Sequence, residues 1–264
     1  MDYGIRGKTA LVTGSTAGIG WASAAALAKE GARVIVNGRT SERVDEAAAK
    51  IRDEVPGADV TGIAADLGGA AGCAKVIAAH PAVDILVNNV GIFEPKDFVD
   101  IPDEDWTAFF ETNVMSGVRL SRHYLPKMKD EGWGRIVFVS SESAVQIPME
   151  MIHYGMTKTA QLAIARGLAE TCVGSAVTVN SVLPGPTESE GVGTFVRQMA
   201  EAQGVSFEEM ERQFFQSARP TSIIQRFASI EEVANMIAYV CSAAASATNG
   251  AALRVDGGVV RAIP

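Results

Sequence analysis

Short runs of consecutive apolar residues alternate along the chain with longer segments in which apolar residues recur at helical spacing. The short runs are typical of buried strands and the longer segments of helices. The predicted strands are Lys8–Thr13, Arg33–Val36, Asp59–Ala65, Val83–Asn88, Arg135–Ser140, Ala176–Val182 and Leu253–Val255. The predicted helices are Trp21–Glu30 (closed by Gly31), Ser41 (as N-cap) to about Glu54, Asp103–Asp130, Ile152–Val173, segments within Thr194–Gln216, and Ile230–Ala243.

The alternation of wholly apolar strands with helices predicts the fold class. Such strands belong to a parallel sheet that is covered by helices on both faces. Right-handed crossovers then give an α/β, doubly wound (Rossmann-type) sheet of about seven strands. We expect residues 1–264 to form a single domain. Ligands of such sheets bind beyond the carboxyl ends of the strands, and the candidate functional residues fall there.

The composition excludes several classes of protein. With 47% hydrophobic and 20% charged residues, the chain is globular rather than disordered. Its net charge is −8 and no basic cluster occurs, which argues against nucleic-acid binding. The three cysteines and three histidines lack ligand spacing, so we expect no disulfide framework and no metal. No signal sequence or 18-residue apolar run is evident, so we expect a cytoplasmic protein that does not bind membranes.

A glycine-rich turn, Thr13–Gly20, links the first predicted strand to the first predicted helix. Glycines permit a tight turn and a close approach of backbone to phosphate. A helix N-terminus adds free N–H groups and the positive end of its dipole. Together these features predict a pyrophosphate-binding cradle for a dinucleotide cofactor.

The spacing of this turn, G-x-x-x-G-x-G, resembles that of the short-chain dehydrogenase/reductase family. Three further motifs agree and follow in the family's order along nearly the whole chain. They are Asn88-Asn89-Val90-Gly91 (with Val in place of Ala), Tyr154-x-x-x-Lys158, and Pro184-Gly185 after the sixth strand. The resemblance implies an oxidoreductase that transfers a hydride between a nicotinamide cofactor and a carbonyl or secondary alcohol.

The resemblance also implies which residues bind the cofactor. The expected contacts are Gly14, Ser15, Thr16, Gly18, Ile19, Gly20, Arg39, Asp66, Leu67, Asn89, Gly91, Tyr154, Lys158, Pro184, Gly185, Thr187 and Ser189. Ser189 occupies the place of the family's carboxamide-binding threonine, and Thr187 lies close by, so either hydroxyl can serve.

The residues after the second strand favour NADP over NAD. An acidic side chain there binds the ribose hydroxyl of NAD, whereas an arginine suits the phosphate of NADP. The acidic position falls at Gly38, and Arg39 follows it. The turn itself carries no basic residue, although many NADP-dependent members have one there, so NAD stays the alternative.

Tyr154 is the expected acid/base, and Lys158 lies one helical turn beyond it. An ammonium group and an oxidised nicotinamide both stabilise a phenolate and lower the tyrosine pKa. By the resemblance, Ser141 binds the substrate oxygen, with Ser140 in a supporting place and Ser143 a weaker competitor. Asn113 matches the family's asparagine that holds a proton-relaying water, or it simply satisfies buried backbone groups.

The segment 190–217 is predicted to be a lid over the substrate. Its larger apolar residues either cover the substrate or pack in the core; they are Phe195, Met199, Phe207, Met210, Phe214 and Phe215. Residues between Ser141 and Tyr154 are expected to line the pocket and to suit a partly hydrophobic substrate; they are Val145, Gln146, Ile147, Pro148, Met149 and Met151. The many glutamates of the lid disfavour a strongly anionic substrate.

Three alternatives remain for the function. One is a subclass, the reductases of 3-oxoacyl thioesters on an acyl carrier. Another is a non-catalytic NAD(P)-binding sensor, which would be expected to lack Tyr154, Lys158 or Ser141. The third, a sugar-nucleotide epimerase or dehydratase, usually needs a larger C-terminal domain. The expected partners are a small-molecule carbonyl or alcohol substrate and further copies of the chain, in a homotetramer or dimer.

Overall fold

All strands in residues 2–263, the part that this computed structural model describes apart from the side chain of Phe195, run parallel in one sheet. They are β1 (Thr9–Val12), β2 (Arg33–Gly38), β3 (Val60–Ala64), β4 (Ile85–Asn88), β5 (Gly134–Val139), β6 (Val177–Pro184) and β7 (Ala252–Val255). Their order across the sheet is β3-β2-β1-β4-β5-β6-β7. The predicted doubly wound parallel sheet is confirmed.

Helices cover both faces of the sheet. The helices of residues 2–263 are α1 (Gly18–Lys29), α2 (Ser41–Glu54), α3 (Ala70–Ala79), α4 (Asp103–Phe110), α5 (Ser116–Asp130), α6 (Ile152–Glu170), α7 (Glu190–Gln203), α8 (Phe207–Ser217) and α9 (Ile230–Val240). Of these, α7 and α8 pack in a core of their own rather than on the sheet. Short 3-10 turns lie at Phe98–Asp100, Glu142–Ala144, Met149–Met151 and Ala243–Ala245.

The strands are apolar throughout because each face of the sheet is buried. In β1, Ala10 and Val12 pack into one core, with helices α1 and α9. Leu11, which points the opposite way, packs into a second core with helices α3, α5 and α6. Successive side chains of a strand point to opposite faces, so a strand with only one buried face would alternate apolar and polar residues.

Two predicted helices differ in detail from the structure. Ser41 is not the N-cap of α2, because the Oγ1 of Thr40 accepts the N–H of Arg43 and Thr40 has the extended backbone of a cap. The helix expected over Asp103–Asp130 is interrupted by a π-helical turn, Glu111–Met115. By contrast, Gly31 follows α1 with a φ of +84°, as its predicted closing role requires.

Two regions of helix were misjudged from the sequence. Helix α3 was not predicted, since it is alanine-rich and buries only Cys73 and Val76, which leaves little helical periodicity. The helical segments predicted within 194–216 form two helices, α7 and α8, and α7 begins earlier than predicted, at Glu190. Gly204, which has a φ of +66°, follows α7 and separates it from α8. The serines Ser189 and Ser206 cap them.

The strand order reverses at the neighbouring strands β1 and β4. Strands β2 and β3 lie on one side of this pair, and β5, β6 and β7 lie on the other. Val12 is paired with Val87 there, so both strands end at the same level. The crevice beyond such a reversal is where ligands bind in doubly wound sheets. The glycine-rich turn and the segment after β4 therefore lie side by side at its edge.

Candidate active site

A cleft of about 1130 Å³ opens at the carboxyl ends of the strands. Its walls come from the glycine-rich turn, the ends of β4, β5 and β6, the start of α6, and both helices of segment 190–217. Most of the predicted site residues lie in these walls: Gly18, Ile19, Gly20, Arg39, Asn89, Gly91, Ser141, Tyr154, Lys158, Pro184, Gly185, Thr187 and Ser189.

The start of α1 leaves its backbone N–H groups free for a ligand. Its N-cap, Ala17, has no side-chain hydrogen bond, and the first turn carries no acidic residue. Gly14 and Gly18 have φ values of +59° and +58°, which L-residues with side chains rarely adopt. An uncapped, positively polarised helix end facing a cleft fits an anionic group such as a pyrophosphate.

Asn89, directly after β4, fastens this turn. Its Nδ2 donates to the carbonyl oxygens of Thr13 and Gly14, at 2.9 and 3.0 Å. Gly20 is packed so closely against it that an added Cβ would lie 2.4 Å from both Nδ2 of Asn89 and the oxygen of Gly14. The turn and the segment after β4 thus hold one another in place, and the motifs around them depend on one another.

The end of β2 carries the residues that predict the cofactor. A Cβ at Gly38 would lie 2.3 Å from Cγ2 of Thr16, so the threonine occupies the space that an acidic side chain at Gly38 would need. Arg39 is exposed and lies in the cleft wall. Ser15, although predicted to bind cofactor, is fully buried, and its hydroxyl donates to the oxygen of Val12 at 2.6 Å.

Gly14, Ser15, Thr16, Asp66 and Leu67 are not among the residues that line the cleft. Leu67 is buried in the second core, and the exposed Asp66 accepts the N–H of Gly68 at 3.0 Å. Both follow β3, at the same edge of the sheet as the turn. Their cofactor contacts stay predictions.

Tyr154 and Lys158 share one face of α6, as their spacing predicted, and both line the cleft. The Nζ of Lys158 lies 5.5 Å from the centroid of the Tyr154 ring and donates to the oxygen of Val139 at 3.0 Å. Gly91 lies close to this ammonium, since a Cβ added there would be in van der Waals contact with Nζ, at 3.4 Å.

The pKa values of this pair are set mainly by burial. Burial lowers the pKa of Lys158 to about 8. Burial also raises the pKa of Tyr154 above its ordinary value, and the Glu142 carboxylate raises it further, whereas Ser141 and Arg219 lower it by less. This direction is opposite to the lowering we expected from the neighbouring ammonium and an oxidised nicotinamide, because the loss of hydration on burial is the largest effect on the phenol in the chain by itself.

Three serines, Ser140, Ser141 and Ser143, follow β5. Ser140 donates to the main-chain oxygen of Lys158 at 2.9 Å, which ties β5 to α6. Ser141 and Ser143 donate to the same oxygen, Oε2 of Glu142, at 2.5 and 3.1 Å. Glu142 was not singled out from the sequence, although a carboxylate between serines at the end of a buried strand is a local signal for it.

Asn113 lies in the π-helical turn between α4 and α5. Its Oδ1 accepts the N–H of Ile92 at 2.7 Å, and its Nδ2 donates to the oxygen of Ile92 and to Thr157, both at 3.0 Å. Its main-chain oxygen accepts from Gln161 at 2.6 Å. The side chain therefore fastens the segment after β4, and π-helical turns of this kind are frequent at functional sites.

Thr187 and Ser189, between which the sequence could not choose, have different roles in the structure. Thr187 is buried and its hydroxyl donates to the oxygen of Gly185 at 2.9 Å. The hydroxyl of Ser189 accepts the N–H of Val192 at 3.4 Å and so caps α7. Both lie in the cleft wall, so the choice between them stays open.

The apolar residues of segment 190–217 divide between the two roles that the sequence allowed. Met199, Met210 and Phe214 line the cleft. Phe215 is buried in a third core with Val196 and Phe227, separate from the two cores of the sheet, and Phe207 packs against it. The side chain of Phe195 lies outside the described atoms.

The other expected pocket wall differs from the prediction. Of the residues named between Ser141 and Tyr154, Met151 is the one that lines the cleft, together with Glu150, which was not named. Val145, Ile147 and Met149 are instead exposed at the surface. This stretch therefore gives little support to the inference of a partly hydrophobic substrate, because three of its apolar residues are exposed outside the cleft and the charged Glu150 lines it.

Arg219, which follows α8, brings those charges together. Its Nε donates to Oε1 of Glu142 at 3.0 Å and its Nη1 to Oε1 of Glu150 at 3.1 Å. The Arg219 side chain is only 11% exposed. No sequence signal pointed to it, since it is 77 residues from Glu142 along the chain.

Residues 2–263 contain neither a candidate metal site nor a helix able to cross a membrane. No group of three or more histidine, cysteine, aspartate or glutamate side chains that could hold a metal ion was found there. Within the same residues, every helix is too short or too polar to cross a membrane.

Comparisons with known proteins agree with this architecture. The family model for short chain dehydrogenases matches residues 8–200. An uncharacterized oxidoreductase of Bacillus subtilis (strain 168), YvaG, is 49% identical over 100% of both chains. The 3-oxoacyl-[acyl-carrier-protein] reductase FabG of Aquifex aeolicus (strain VF5) is 31% identical, over 98% of this chain and 100% of that protein. The crystal structure of L-sorbose reductase from Gluconobacter frateurii, complexed with NADPH and L-sorbose, superimposes with a TM-score of 0.93 at 32% identity, over 100% of both chains.

Proposed function

This chain belongs to the short-chain dehydrogenase/reductase family of oxidoreductases, and we propose that it reduces a ketone or aldehyde with NADPH, or oxidises the corresponding alcohol, with Tyr154 as the acid/base. One observation carries the proposal. Ser141, Tyr154 and Lys158 line the same cleft as the uncapped N-terminus of α1, so proton transfer and cofactor binding share one site.

In this proposal the bound nicotinamide supplies the hydride, and the chain supplies position, charge and the proton. Tyr154 gives its proton to the substrate oxygen. Burial keeps the phenol protonated at neutral pH, as a proton donor must be. The Lys158 ammonium and a bound nicotinamide would lower its pKa toward neutrality, where a general acid is most effective. Lys158 would bind the nicotinamide ribose, and Ser141 would hold the substrate oxygen and stabilise its developing charge.

The proton that Tyr154 loses must be replaced from solvent. We propose that Asn113 contributes to this replacement by holding the segment after β4 beside Lys158. Its Oδ1 and the Lys158 Nζ both approach Gly91, where an added Cβ would lie 3.4 Å from each. A water between Asn113 and the ammonium can relay a proton only if both groups keep these positions.

The proposed preference for NADP rests on Arg39, Gly38 and Thr16. With Thr16 packed over Gly38, the site offers no carboxylate to a ribose hydroxyl. Arg39, exposed in the cleft wall, offers a guanidinium to a phosphate. Arg43, in the first turn of α2, lines the same cleft and forms an ion pair with Glu190, at 3.1 Å.

We propose that segment 190–217 acts as a lid over the substrate within a single domain. Three observations support this role. Helices α7 and α8 line the cleft, their apolar side chains form a core of their own, and Arg219 at their end reaches the residues beside Ser141. A unit with its own core can shift as a body without unpacking the sheet.

A 3-oxoacyl thioester reductase is the second candidate, and the likeness to FabG favours it. The charges of the cleft favour it less. Glu142 and Glu150 stand near Tyr154 with Arg219 as their shared partner, so this end of the cleft repels an anion more than it attracts one. A non-catalytic sensor has no comparable support, since Ser141, Tyr154 and Lys158 are all present.

For the assembly we propose a homotetramer, with a dimer as the alternative. The strand at one edge of the sheet, β7, pairs with β6 alone among the described residues. Two large apolar residues near β7 are exposed: Ile223 by 81% and Ile263 by 95%. Ile223 lies against Gly258, just after β7, and the main-chain oxygen of Ile263 accepts from Arg254 in β7. Light scattering on the purified protein measures the number of copies.

The first experiment combines cofactor binding with turnover. Titration with NADPH and with NADH, followed by nicotinamide fluorescence, is expected to give a lower Kd for NADPH. Reduction of a panel of ketones is then compared between the wild type, Tyr154→Phe and Tyr239→Phe. Loss of general acid catalysis reduces kcat by roughly 10²–10⁴-fold in Tyr154→Phe. Tyr239, on α9 and outside the cleft lining, is the matched control, and its variant keeps wild-type kcat. A Tyr154→Phe enzyme with near wild-type kcat would contradict the proposed acid.

A further inference from the structure

Arg219 is held by several hydrogen bonds in the same cleft as the proton donor, although the proposed hydride transfer assigns it no role. Two carboxylates and a carbonyl bind its guanidinium: Oε1 of Glu142 at 3.0 Å, Oε1 of Glu150 at 3.1 Å and the oxygen of Ala218 at 2.8 Å. Immobilising a long, flexible side chain costs conformational entropy. An arginine held in this way presents its remaining N–H groups in a fixed direction, as a binding site for a defined ligand requires.

Glu142 holds Arg219 but has no free oxygen for a ligand. Its Oε2 accepts from the hydroxyl of Ser141 at 2.5 Å, and from the N–H and the hydroxyl of Ser143 at 2.9 and 3.1 Å. The residue is 4% exposed. Glu142 therefore links Arg219 to Ser141, so that the guanidinium stands one carboxylate away from the hydroxyl proposed to bind the reacting oxygen.

Two polar atoms at this end of the cleft have hydrogen-bonding capacity left over. Within the described part of the chain, neither Nη2 of Arg219 nor Oε2 of Glu150 has a hydrogen-bond partner, whereas Nη1 and Oε1 of the same two residues bind each other. Both residues line the cleft that contains Tyr154. The result is an available donor and an available acceptor on two residues that are hydrogen-bonded to each other and line the same cleft as the acid/base.

A hydroxyl group matches such a pair because it accepts from one group and donates to the other. A carboxylate or phosphate matches it poorly, since it has no proton to donate to Glu150 and meets two carboxylates against one guanidinium. An alkyl group matches it worst, because it would leave the charged N–H and oxygen desolvated without partners. The chemistry of this end of the cleft therefore selects neutral, hydroxylated ligands.

We propose that the substrate is a neutral hydroxy carbonyl compound of the ketose type, one of whose hydroxyl groups binds Nη2 of Arg219 and Oε2 of Glu150. The proposal rests on the proposed function. In the reduction the C=O π bond breaks, the hydride of NADPH forms the new C–H bond, and the Tyr154 proton forms the O–H bond. The products are the polyol and NADP⁺, and the reverse reaction oxidises the polyol.

Substrates that share a carbon skeleton test the inference directly. We would measure kcat/KM with NADPH for 1-hydroxy-2-butanone, 2-butanone and 2-oxobutanoate, and for the larger probes L-sorbose and acetoacetyl-CoA. Hydrogen bonds to charged groups are worth about 1.5–3 kcal/mol, so kcat/KM for the hydroxy ketone is expected to exceed that for 2-butanone by tenfold or more. L-sorbose is expected to be reduced, and the two anions are expected to be poor substrates.

Glu150→Gln is the informative variant, because the Glu150 side chain is 44% exposed and its replacement leaves the fold intact. Arg219→Lys, which keeps the charge but removes Nη2, is the second variant. Each is expected to reduce the ratio of kcat/KM between 1-hydroxy-2-butanone and 2-butanone about tenfold. The control is Glu94→Gln, an exposed carboxylate outside the cleft lining that pairs weakly with Lys96, and it leaves the ratio unchanged.

The outcomes distinguish a failure of this inference from a failure of the proposed function. Equal kcat/KM for 2-butanone and its hydroxy derivative, or a preference for 2-oxobutanoate or acetoacetyl-CoA, would overturn the substrate class while the oxidoreductase stands. A ratio that Glu150→Gln and Arg219→Lys both leave at the wild-type value would overturn the assignment of these residues. No turnover of any carbonyl in the panel would overturn the proposed function as well.

Discussion

The hydroxyl of Ser141 donates its one proton to the carboxylate of its chain neighbour Glu142, with 2.5 Å between Oγ and Oε2. While this bond stands, Ser141 offers the cleft only lone pairs, one of which accepts the N–H of Ser143 at 3.1 Å. A carbonyl substrate must therefore compete with Glu142 for the serine proton, whereas an alcohol substrate can donate to the serine directly. The charge of Glu142 is thus coupled to the chemistry of the site.

Removing this charge is expected to shift the pH dependence of reduction. The Glu142 carboxylate raises the pKa of Tyr154, so Glu142→Gln lowers it. Reduction needs protonated Tyr154, and therefore the alkaline decline of kcat/KM moves to lower pH in the variant. The pH profile of NADPH-dependent reduction measures the shift. Glu46→Gln, an exposed carboxylate on α2, is the control with a wild-type profile. A profile of Glu142→Gln that overlies the wild type would refute the coupling.

Arg39→Gln is expected to weaken NADPH binding selectively. A charge-assisted bond to phosphate contributes about 1.5–3 kcal/mol, so the Kd for NADPH rises roughly tenfold or more. NADH lacks that phosphate, and its Kd changes by less than about threefold, which is within roughly 0.7 kcal/mol. Fluorescence titration gives both constants. Arg33→Gln, at the opposite end of β2, is the matched control. An equal loss for both cofactors would show that Arg39 does not read the phosphate.

Gly20→Ala is expected to disrupt the cofactor turn. The new Cβ would lie 2.4 Å from both Nδ2 of Asn89 and the oxygen of Gly14, so the turn must shift. Overpacking of this kind costs about 1–3 kcal/mol, and NADPH binding falls with it. Gly167→Ala, in α6 with no neighbouring atom within 4 Å, is the control, expected to stabilise by about 0.5–1 kcal/mol. Thermal unfolding and NADPH titration of both variants test the claim, which an unaltered Kd in Gly20→Ala would contradict.

Lys158 is expected to make stability depend on pH. Its pKa is lowered to about 8 in the folded chain and lies near 10.4 in an unfolded one. Between these values the unfolded state binds more protons, so the contribution of Lys158 to stability rises with pH through this window. Burying the charged ammonium at lower pH costs on the order of 3 kcal/mol.

The measurement is urea unfolding of the wild type and Lys158→Met across pH 7.5–10 (roughly the window set by these pKa values). The difference in unfolding free energy between the two proteins isolates the lysine, since all other groups titrate in both. The unfolding free energy of the wild type is expected to increase relative to that of Lys158→Met as the pH rises. A difference that is constant with pH would mean that Lys158 titrates at its ordinary pKa when folded.

The parallel sheet could be predicted because its evidence is local. Each strand, such as β1 or β5, is a short apolar run, and burial on both faces leaves that mark in the sequence itself. Helix α3 left no such mark, since a helix that buries two side chains has almost no apolar stripe. The π-helical turn at Asn113 could not be predicted either. Its wider hydrogen-bonding pattern goes with the hydrogen bonds that Asn113 forms with Ile92 and Gln161, which are distant in the sequence.

The sequence by itself determined which residue types surround the cleft: the glycines before α1, the Tyr154–Lys158 pair one helical turn apart, and Ser141 at a strand end. These follow from short spacings and from the meeting of parallel strands at one edge. Only the tertiary structure decided the surroundings of Tyr154. Arg219 and Glu142 are 77 residues apart, and the direction in which the tyrosine pKa shifts depends on burial and on charges that folding alone brings together.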